Sequence, residues 1–307
     1  MTARFLHLGA SLYVPATRPD LAALANHEKY PLLRSAIFCT EDAVAERDVP
    51  RALANLEQLL PRLEPAGLLR FVRVRNPALL RNVLQMDGVR GLTGFVLPKI
   101  TRRNVDEYFD AFRPGDAYEL MLTLETVEAF DPRAMAELRD LLLQERYRRR
   151  ILALRIGGND LFSLLGMRRP RGRTVYQTPL ALTISQLVTT FRPHGFHLTA
   201  PVFEYLDSPR LLEREVRADL AHGLFGKTAI HPRQVPIIEA NYRVSARDLH
   251  MAEEILAHAA LPVFRLHEAM CEPATHRPWA EMICARARLY GVVGSSRFRR
   301  DKLPACP

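Results

Sequence analysis

The sequence predicts an α/β protein of the (β/α)8 type, a barrel of eight parallel strands ringed by helices. Short apolar or β-branched runs recur along the chain, and stretches with helical spacing separate them. Eight such repeats occupy about 230 residues, close to the roughly 250 of the usual barrel. A doubly wound open sheet would use the same alternation and is the alternative architecture.

The elements follow in order. "SLYVPA" (11–16) is the first strand, because the apolar N-terminal stretch is short, carries His7 and Pro15 and lacks a small-residue cleavage site, unlike a secretory leader. "SAIFCTED" (35–42), "LRFVRVRN" (69–76), "GFVLPKI" (94–100) and "ELMLTLET" (119–126) supply strands two to five. "LALRIGG" (152–158), "FHLTAPV" (196–202) and "GKTAIHP" (226–232) supply six to eight. Between them, "PRALANLEQLLPRLEPAG", "PRAMAELRDLLLQERYRRR", "PLALTISQLVTTF" and "PRLLEREVRADLAHG" have helical spacing. Their leading prolines suit a first helical turn, where the fixed φ is favourable and the missing N–H costs nothing. The barrel is expected over 1–240. An extension over 241–307 holds two more helical runs, "SARDLHMAEEILAHAA" and "PWAEMICARARLYGV", with Pro262 and Pro273 as breaks. It either closes the barrel or reaches a neighbouring subunit.

Composition excludes several classes. The chain has 307 residues, 48% of them hydrophobic, enough to bury a large core. No apolar run approaches the ~20 residues of a membrane helix, so no membrane association is expected. Cys39, Cys271, Cys284 and Cys306 form no zinc spacing and no CxxC pair, which fits reduced thiols in a cytoplasm. The 43 basic and 34 acidic residues leave a net charge of +9, which favours anionic ligands without naming one. Nucleic acid is not the expected partner, because aromatics are not interleaved with the arginines and basicity alone gives only salt-sensitive attraction. "RYRRR" (146–150) reads as a solvated helix end, and "SSRFRRDKLPACP" as a frayed basic tail.

In such a barrel the chemistry belongs at the carboxyl ends of the strands. Those ends carry Glu41 and Asp42, then Arg73 and Arg75, Lys99, Glu125, Asp160 and His231. Glu125 ends an otherwise apolar strand, where an unpaired carboxylate would be costly and a cation is the natural remedy. Gly157-Gly158 break the sixth run just before Asp160, so either the glycines admit something close to the backbone or Asp160 caps the next helix. Glu125 and Asp160, on neighbouring strands, can hold one Mg2+ and leave positions for substrate oxygens and water. Arg168, Arg169, Arg171 and Arg173 lie in a Pro/Gly loop beyond Asp160 and form a candidate clamp for a phosphate or second carboxylate. Each residue has a plainer reading. Glu41 and Asp42 could start a helix, the two arginines could pair internally with the acids, and His231 could be polar packing at the barrel mouth.

The motifs "SLYVPA", "TEDAV", "VRVRN", "GFVLPKI", "LTLET", "GGNDL" and "GLFGKTAIHP" resemble, in order and spacing, the HpcH/HpaI aldolase and citrate lyase β-subunit family of the phosphoenolpyruvate/pyruvate barrels. The resemblance runs over roughly residues 10 to 285 and is strongest to the divergent branch of C–C bond lyases of the TIM-barrel fold, associated with stress and tellurium-resistance gene clusters. It implies a Mg2+-dependent carbon–carbon lyase, or the reverse condensation, acting through an enolate on an anionic oxo or hydroxy acid, either free or CoA- or phosphate-linked. Glu125 and Asp160 match the family's metal ligands, and Arg73 matches the arginine that grips the substrate. Arg75 stands where the family usually has Asn, and Cys39 replaces the first Asp of "DLEDAV". Glu272, in "AMCEPATHRPWA", matches an acid that can reach a neighbouring subunit's site, which implies a homo-oligomer. Lys99 pairs with an acid in this reading rather than forming a Schiff base. The base remains open between a metal-bound water near Glu41 or Asp42 and Glu272 of a partner chain. A non-catalytic subunit that binds an anionic metabolite or a partner protein is the competing function.

Overall fold

The computed structural model describes residues 4–259 and 261–293; the basic tail and Cys306 lie outside the described residues. Eight parallel strands form a single sheet: β1 (Ala10–Pro15), β2 (Ser35–Cys39), β3 (Leu69–Arg73), β4 (Gly94–Leu97), β5 (Glu119–Leu124), β6 (Ile151–Ile156), β7 (Leu198–Thr199) and β8 (Lys227–Ala229). Their order is β7-β6-β5-β4-β3-β2-β1-β8, and a parallel bridge from Ala200 to Lys227 nearly closes the ring. Each strand coincides with one of the eight predicted runs. The third is shorter than its run, so that Arg73 is its last residue and Arg75 lies just beyond.

Contact density divides the chain into two compact units, Leu8–Ile238 and a second one joining the residues up to His7 with the chain from Glu239 onward. In the first unit the strand register carries one alternation around the sheet. Cys39 lies opposite Arg73, Arg73 opposite Val96, Val96 opposite Met121, and Thr123 opposite Arg155. These residues share the lumen face. The other face packs on helices whose apolar stripes complete the core, for example Ala52, Leu56 and Leu59 in the helix Val49–Leu59.

The second unit has its own core, with Val244, Ala252, Ile255, Ile283, Cys284 and Ala287 among its buried residues. Its helix Ala246–Ala257 follows the predicted run and is capped by Ser245, whose hydroxyl accepts from Asp248 N at 3.0 Å. Between the helical runs stands an antiparallel hairpin, Phe264–Leu266 and Ala269–Cys271, which the periodicity did not announce because each strand is only three residues long. The last helix, Pro273–Tyr290, begins earlier than its run and carries Pro278 inside it.

One expectation about charge changes. Arg150 does not end a solvated helix: it is buried and donates to the carbonyls of Asp116 and Arg113. A second buried cation, Lys227, reaches Glu215 Oε1 at 3.0 Å, Asp219 Oδ2 at 2.9 Å and Pro201 O at 3.0 Å. Glu215 also takes Arg169 and the Val175 N–H, so this cluster ties β8 and the helix Pro209–Ala221 to the loop after residue 166. Removing one member of such a group leaves uncompensated buried charge. Lys227→Met should lower unfolding stability in urea by about 3–5 kcal/mol; a loss under about 1 kcal/mol would contradict the cluster's anchoring role.

Candidate active site

The mouth of the first unit gathers acids around one guanidinium. Arg73 Nη2 lies 2.6 Å from Glu41 Oε2, 2.9 Å from Asp42 Oδ2 and 3.1 Å from Glu125 Oε1. Its Nη1 donates to the Tyr13 hydroxyl at 3.3 Å. Arg73, Glu41 and Glu125 are buried, whereas the Asp42 side chain is 54% exposed. Lys99 adds a second cation, with Nζ 3.0 Å from Glu41 Oε1. Its backbone, held at φ 51°, turns its own N–H onto Glu125 Oε1 at 3.0 Å. A left-handed lysine is strained, and the strain sits where it delivers a donor to a buried carboxylate.

Both donors to Glu125 use Oε1, and Oε2 faces Gly157. A Cβ on Gly157 would lie 2.3 Å from Glu125 Oε2 and 2.3 Å from Glu125 Cβ, a distance no side chain can occupy. Of the two readings of the glycine pair, the structure therefore has the first: the Glu125 carboxylate is what approaches the backbone. Asp160 sits in the first turn of the helix Gly158–Leu164, whose N-cap is Gly157 without a side-chain cap. The Asp160 charge acts on Glu125, Asp42 and Lys99.

The protonation states follow from these neighbours. Burial together with the Asp160 charge raises the Glu125 carboxyl to about 7, against the pull of Arg73. Burial and the adjoining Glu41 raise Asp42 to about 6. Glu41 is the opposite case: burial alone would raise it, but its bond with Asp42 and the cations Arg73 and Lys99 lower it to about 2. The mouth thus pairs one fixed anion with two carboxyls that exchange protons near neutrality.

The other candidate residues are placed differently. Arg75 Nη2 donates to the carbonyls of Glu41 at 3.2 Å and Val44 at 2.7 Å, fixing the loop that carries the acids. Cys39 lies beneath that loop, its Sγ accepting from Glu41 N at 3.4 Å. In the basic loop, Arg168, Arg171 and Arg173 are exposed, but Arg169 is buried against Glu204 and Glu215 and has no face left for a ligand. His231 lines a cleft of ≈ 300 Å3 with Tyr13, Arg18, Tyr30 and Ile230, at the carboxyl ends of β1 and β8. Glu272 belongs to the second unit, where its carboxylate accepts from the Thr275 hydroxyl at 2.9 Å. Sequence reading did not find Tyr13 or the Lys99 N–H: a backbone donor has no residue-type signal, and a tyrosine in a strand passes for core.

The donor set fits a hard divalent cation. Both donors to Glu125 reach Oε1 and not Oε2, and the Asp160 charge acts on the same carboxyl. Among the described residues no group of three or more His, Cys, Asp or Glu forms a complete cage. One or two carboxylates completed by water or substrate oxygens is the usual Mg2+ arrangement.

Comparison with known proteins adds four findings. The family model described as "C-C_Bond_Lyase of the TIM-Barrel fold" matches residues 3–292. A (3S)-malyl-CoA thioesterase of Cereibacter sphaeroides is 26% identical over 223 residues, which cover 72% of this chain and 73% of that protein. Among solved structures, a citrate lyase from Burkholderia xenovorans superposes with a TM-score of 0.75 at 16% identity, covering 94% of each chain. CitE from Mycobacterium tuberculosis, in complex with magnesium, acetoacetate and coenzyme A, has a TM-score of 0.67 at 22% identity, covering 92% of this chain and 99% of its own.

The packing of Gly157 against Glu125 gives a direct test. Gly157→Ala should displace the Glu125 carboxylate and weaken Mg2+ binding in calorimetric titration at least tenfold, as should Asp160→Asn, with far-UV circular dichroism unchanged. Wild-type affinity in both variants would contradict the metal site.

Proposed function

The chain belongs to the C–C bond lyases of the TIM-barrel fold, and from that premise we propose that it is a Mg2+-dependent lyase, or the reverse condensing enzyme. Its substrate is an anionic oxo or hydroxy acid, free or as an acyl-CoA-like ester. The observation that carries this reading is that Glu125, beside Arg73 and under the influence of the Asp160 charge, receives Arg73 and the Lys99 N–H on Oε1, while its Oε2 packs where Gly157 has no Cβ. Bound there, Mg2+ supplies the Lewis acid that stabilises enolate charge as the C–C bond breaks or forms.

The protein's own groups do the rest. Arg73 sets a fixed positive charge at the centre of the mouth; its Nη1, which bonds the Tyr13 hydroxyl and none of the three carboxylates, would be the nitrogen to meet a substrate oxygen. Asp42 is half exposed and titrates near 6, so its Oδ atoms can take the hydroxyl proton in cleavage and return it in condensation. Glu41, held low by Arg73 and Lys99, stays ionised and keeps both cations in place. The cleft lined by Tyr13, Tyr30 and His231, which meets the mouth through the Tyr13 bond to Arg73, would take the arm of an ester. The exposed Arg168, Arg171 and Arg173 suit a phosphate at the end of such an arm. A homo-oligomer is part of the reading, as is a cytoplasmic location, which the buried thiols Cys39, Cys271 and Cys284 support.

A second reading is ester hydrolysis without C–C cleavage, favoured by the malyl-CoA thioesterase among the relatives. One experiment separates the two. With acetyl-CoA and Mg2+ in D2O, an enolate-forming enzyme should wash the methyl hydrogens into solvent, visible by proton NMR, and Asp160→Asn should lose this at least a hundredfold. Malyl-CoA should then yield acetyl-CoA and glyoxylate. Release of malate and CoA thiol with no exchange would overturn the lyase in favour of the hydrolase. Neither exchange nor turnover would overturn both, leaving the barrel a binding subunit.

A further inference from the structure

Five arginines of the barrel unit are buried, and four of them have strong acceptors. Arg73 has three carboxylates, Arg169 has Glu204 and Glu215, Arg70 has the carbonyls of Ala25 and Glu64, and Arg150 has those of Asp116 and Arg113. Arg155, on β6 and 3% exposed, has none of this kind among the described residues. Its Nη2 donates to the Thr228 hydroxyl, its Nη1 points at the Met121 sulfur at 3.6 Å, and its Cζ lies 5.4 Å from the centre of the Tyr13 ring. A hydroxyl, a thioether and a ring face do not compensate a buried full charge.

The surroundings are short of acceptors as well. Register sets Thr123 of β5 and Thr199 of β7 on either side of Arg155. Both are fully buried, and neither hydroxyl has a hydrogen-bond partner. Thr228, having accepted from Arg155, retains its own proton to donate. Barrel lumens are ordinarily filled by bulky aliphatic side chains; here threonines and an arginine face one another. Water could satisfy the hydroxyls but would leave the charge uncompensated. One small anion would satisfy both.

We propose that Arg155, with the hydroxyls of Thr123, Thr199 and Thr228, forms an anion subsite in the barrel lumen that takes one carboxylate or an ion of similar size. Thr123 and Arg155 each lie two residues before a residue of the mouth, Glu125 and Gly157, on the same strands, about 7 Å deeper along the barrel. The guanidiniums of Arg73 and Arg155 both lie against the Tyr13 ring, with Cζ 5.9 and 5.4 Å from its centre, so the two ends of one dicarboxylic acid could engage one each. A free inorganic anion is the other source of the same chemistry. The subsite stands without the lyase reading; only its assignment to substrate rests on it.

The test does not use activity. At constant ionic strength balanced with a bulky sulfonate buffer salt, the thermal midpoint of the wild type should rise saturably with formate or bromide. Arg155→Gln should lose the rise, and Arg155→Lys should keep it with affinity lowered several-fold. In bromide-soaked crystals of the wild type, an anomalous peak should lie within hydrogen-bond distance of the Arg155 guanidinium. Displacement of that peak by malate with Mg2+ assigns the subsite to the substrate's second carboxylate; a peak that malate does not displace assigns it to a resident inorganic anion. No peak at Arg155, or an Arg155→Gln titration that follows the wild type, would overturn the proposal, and the wild-type crystal decides alone where the variant does not fold.

Discussion

The barrel mouth depends on one compensation: Arg73 Nη2 holds three carboxylate oxygens within 3.1 Å. Without that guanidinium, Glu41 would be a buried charge driven toward its protonated form, and Glu125, already raised to about 7, would be pushed higher still. With it, the acids gather without collapsing into mutual repulsion. The compensation is also incomplete, because Asp160 adds a further negative charge beside Glu125. In the proposed reading a divalent cation would balance what Arg73 and Lys99 leave uncompensated.

Backbone geometry decides where that imbalance points. The Lys99 N–H and Arg73 both occupy Glu125 Oε1, and the absence of a Cβ at Gly157 lets Oε2 approach the turn that leads to Asp160. Away from the mouth, the buried Lys227, Glu215 and Asp219 hold the basic loop to the helix Pro209–Ala221. Arg169 is the part of that loop committed to structure, while Arg168, Arg171 and Arg173 stay exposed. One stretch of sequence thus divides between a buried anchor and an exposed basic surface.

Much of this was legible in the sequence. The eight strand runs have the composition and spacing that parallel strands require, and Glu41, Asp42, Arg73, Lys99, Glu125 and Asp160 stand at their carboxyl ends, where a barrel collects them. What escaped depends on three-dimensional neighbours. Arg169 and Arg171 are indistinguishable in a loop of alternating arginines, yet one is buried against Glu215 and the other exposed. Arg155 sits in "LALRIGG", a strand recognised by its apolar members, and only the register shows that it faces the lumen between two threonines. The hairpin Phe264–Cys271 is too short for its periodicity to separate from noise. The relatives sharpen the chemistry only partly, since the matching family is one of C–C bond lyases while the curated relative is a thioesterase, and a shared fold does not fix the reaction.

The most direct measurement is a crystal structure of the protein with Mn2+ and oxalate, a stable mimic of a bound enolate. The account predicts Mn2+ about 2.2 Å from Glu125 Oε2 and an Asp160 oxygen, chelated by oxalate, with an oxalate oxygen on Arg73 Nη1. Manganese at other residues, or none at this mouth with Glu125 and Asp160 unligated, would contradict it.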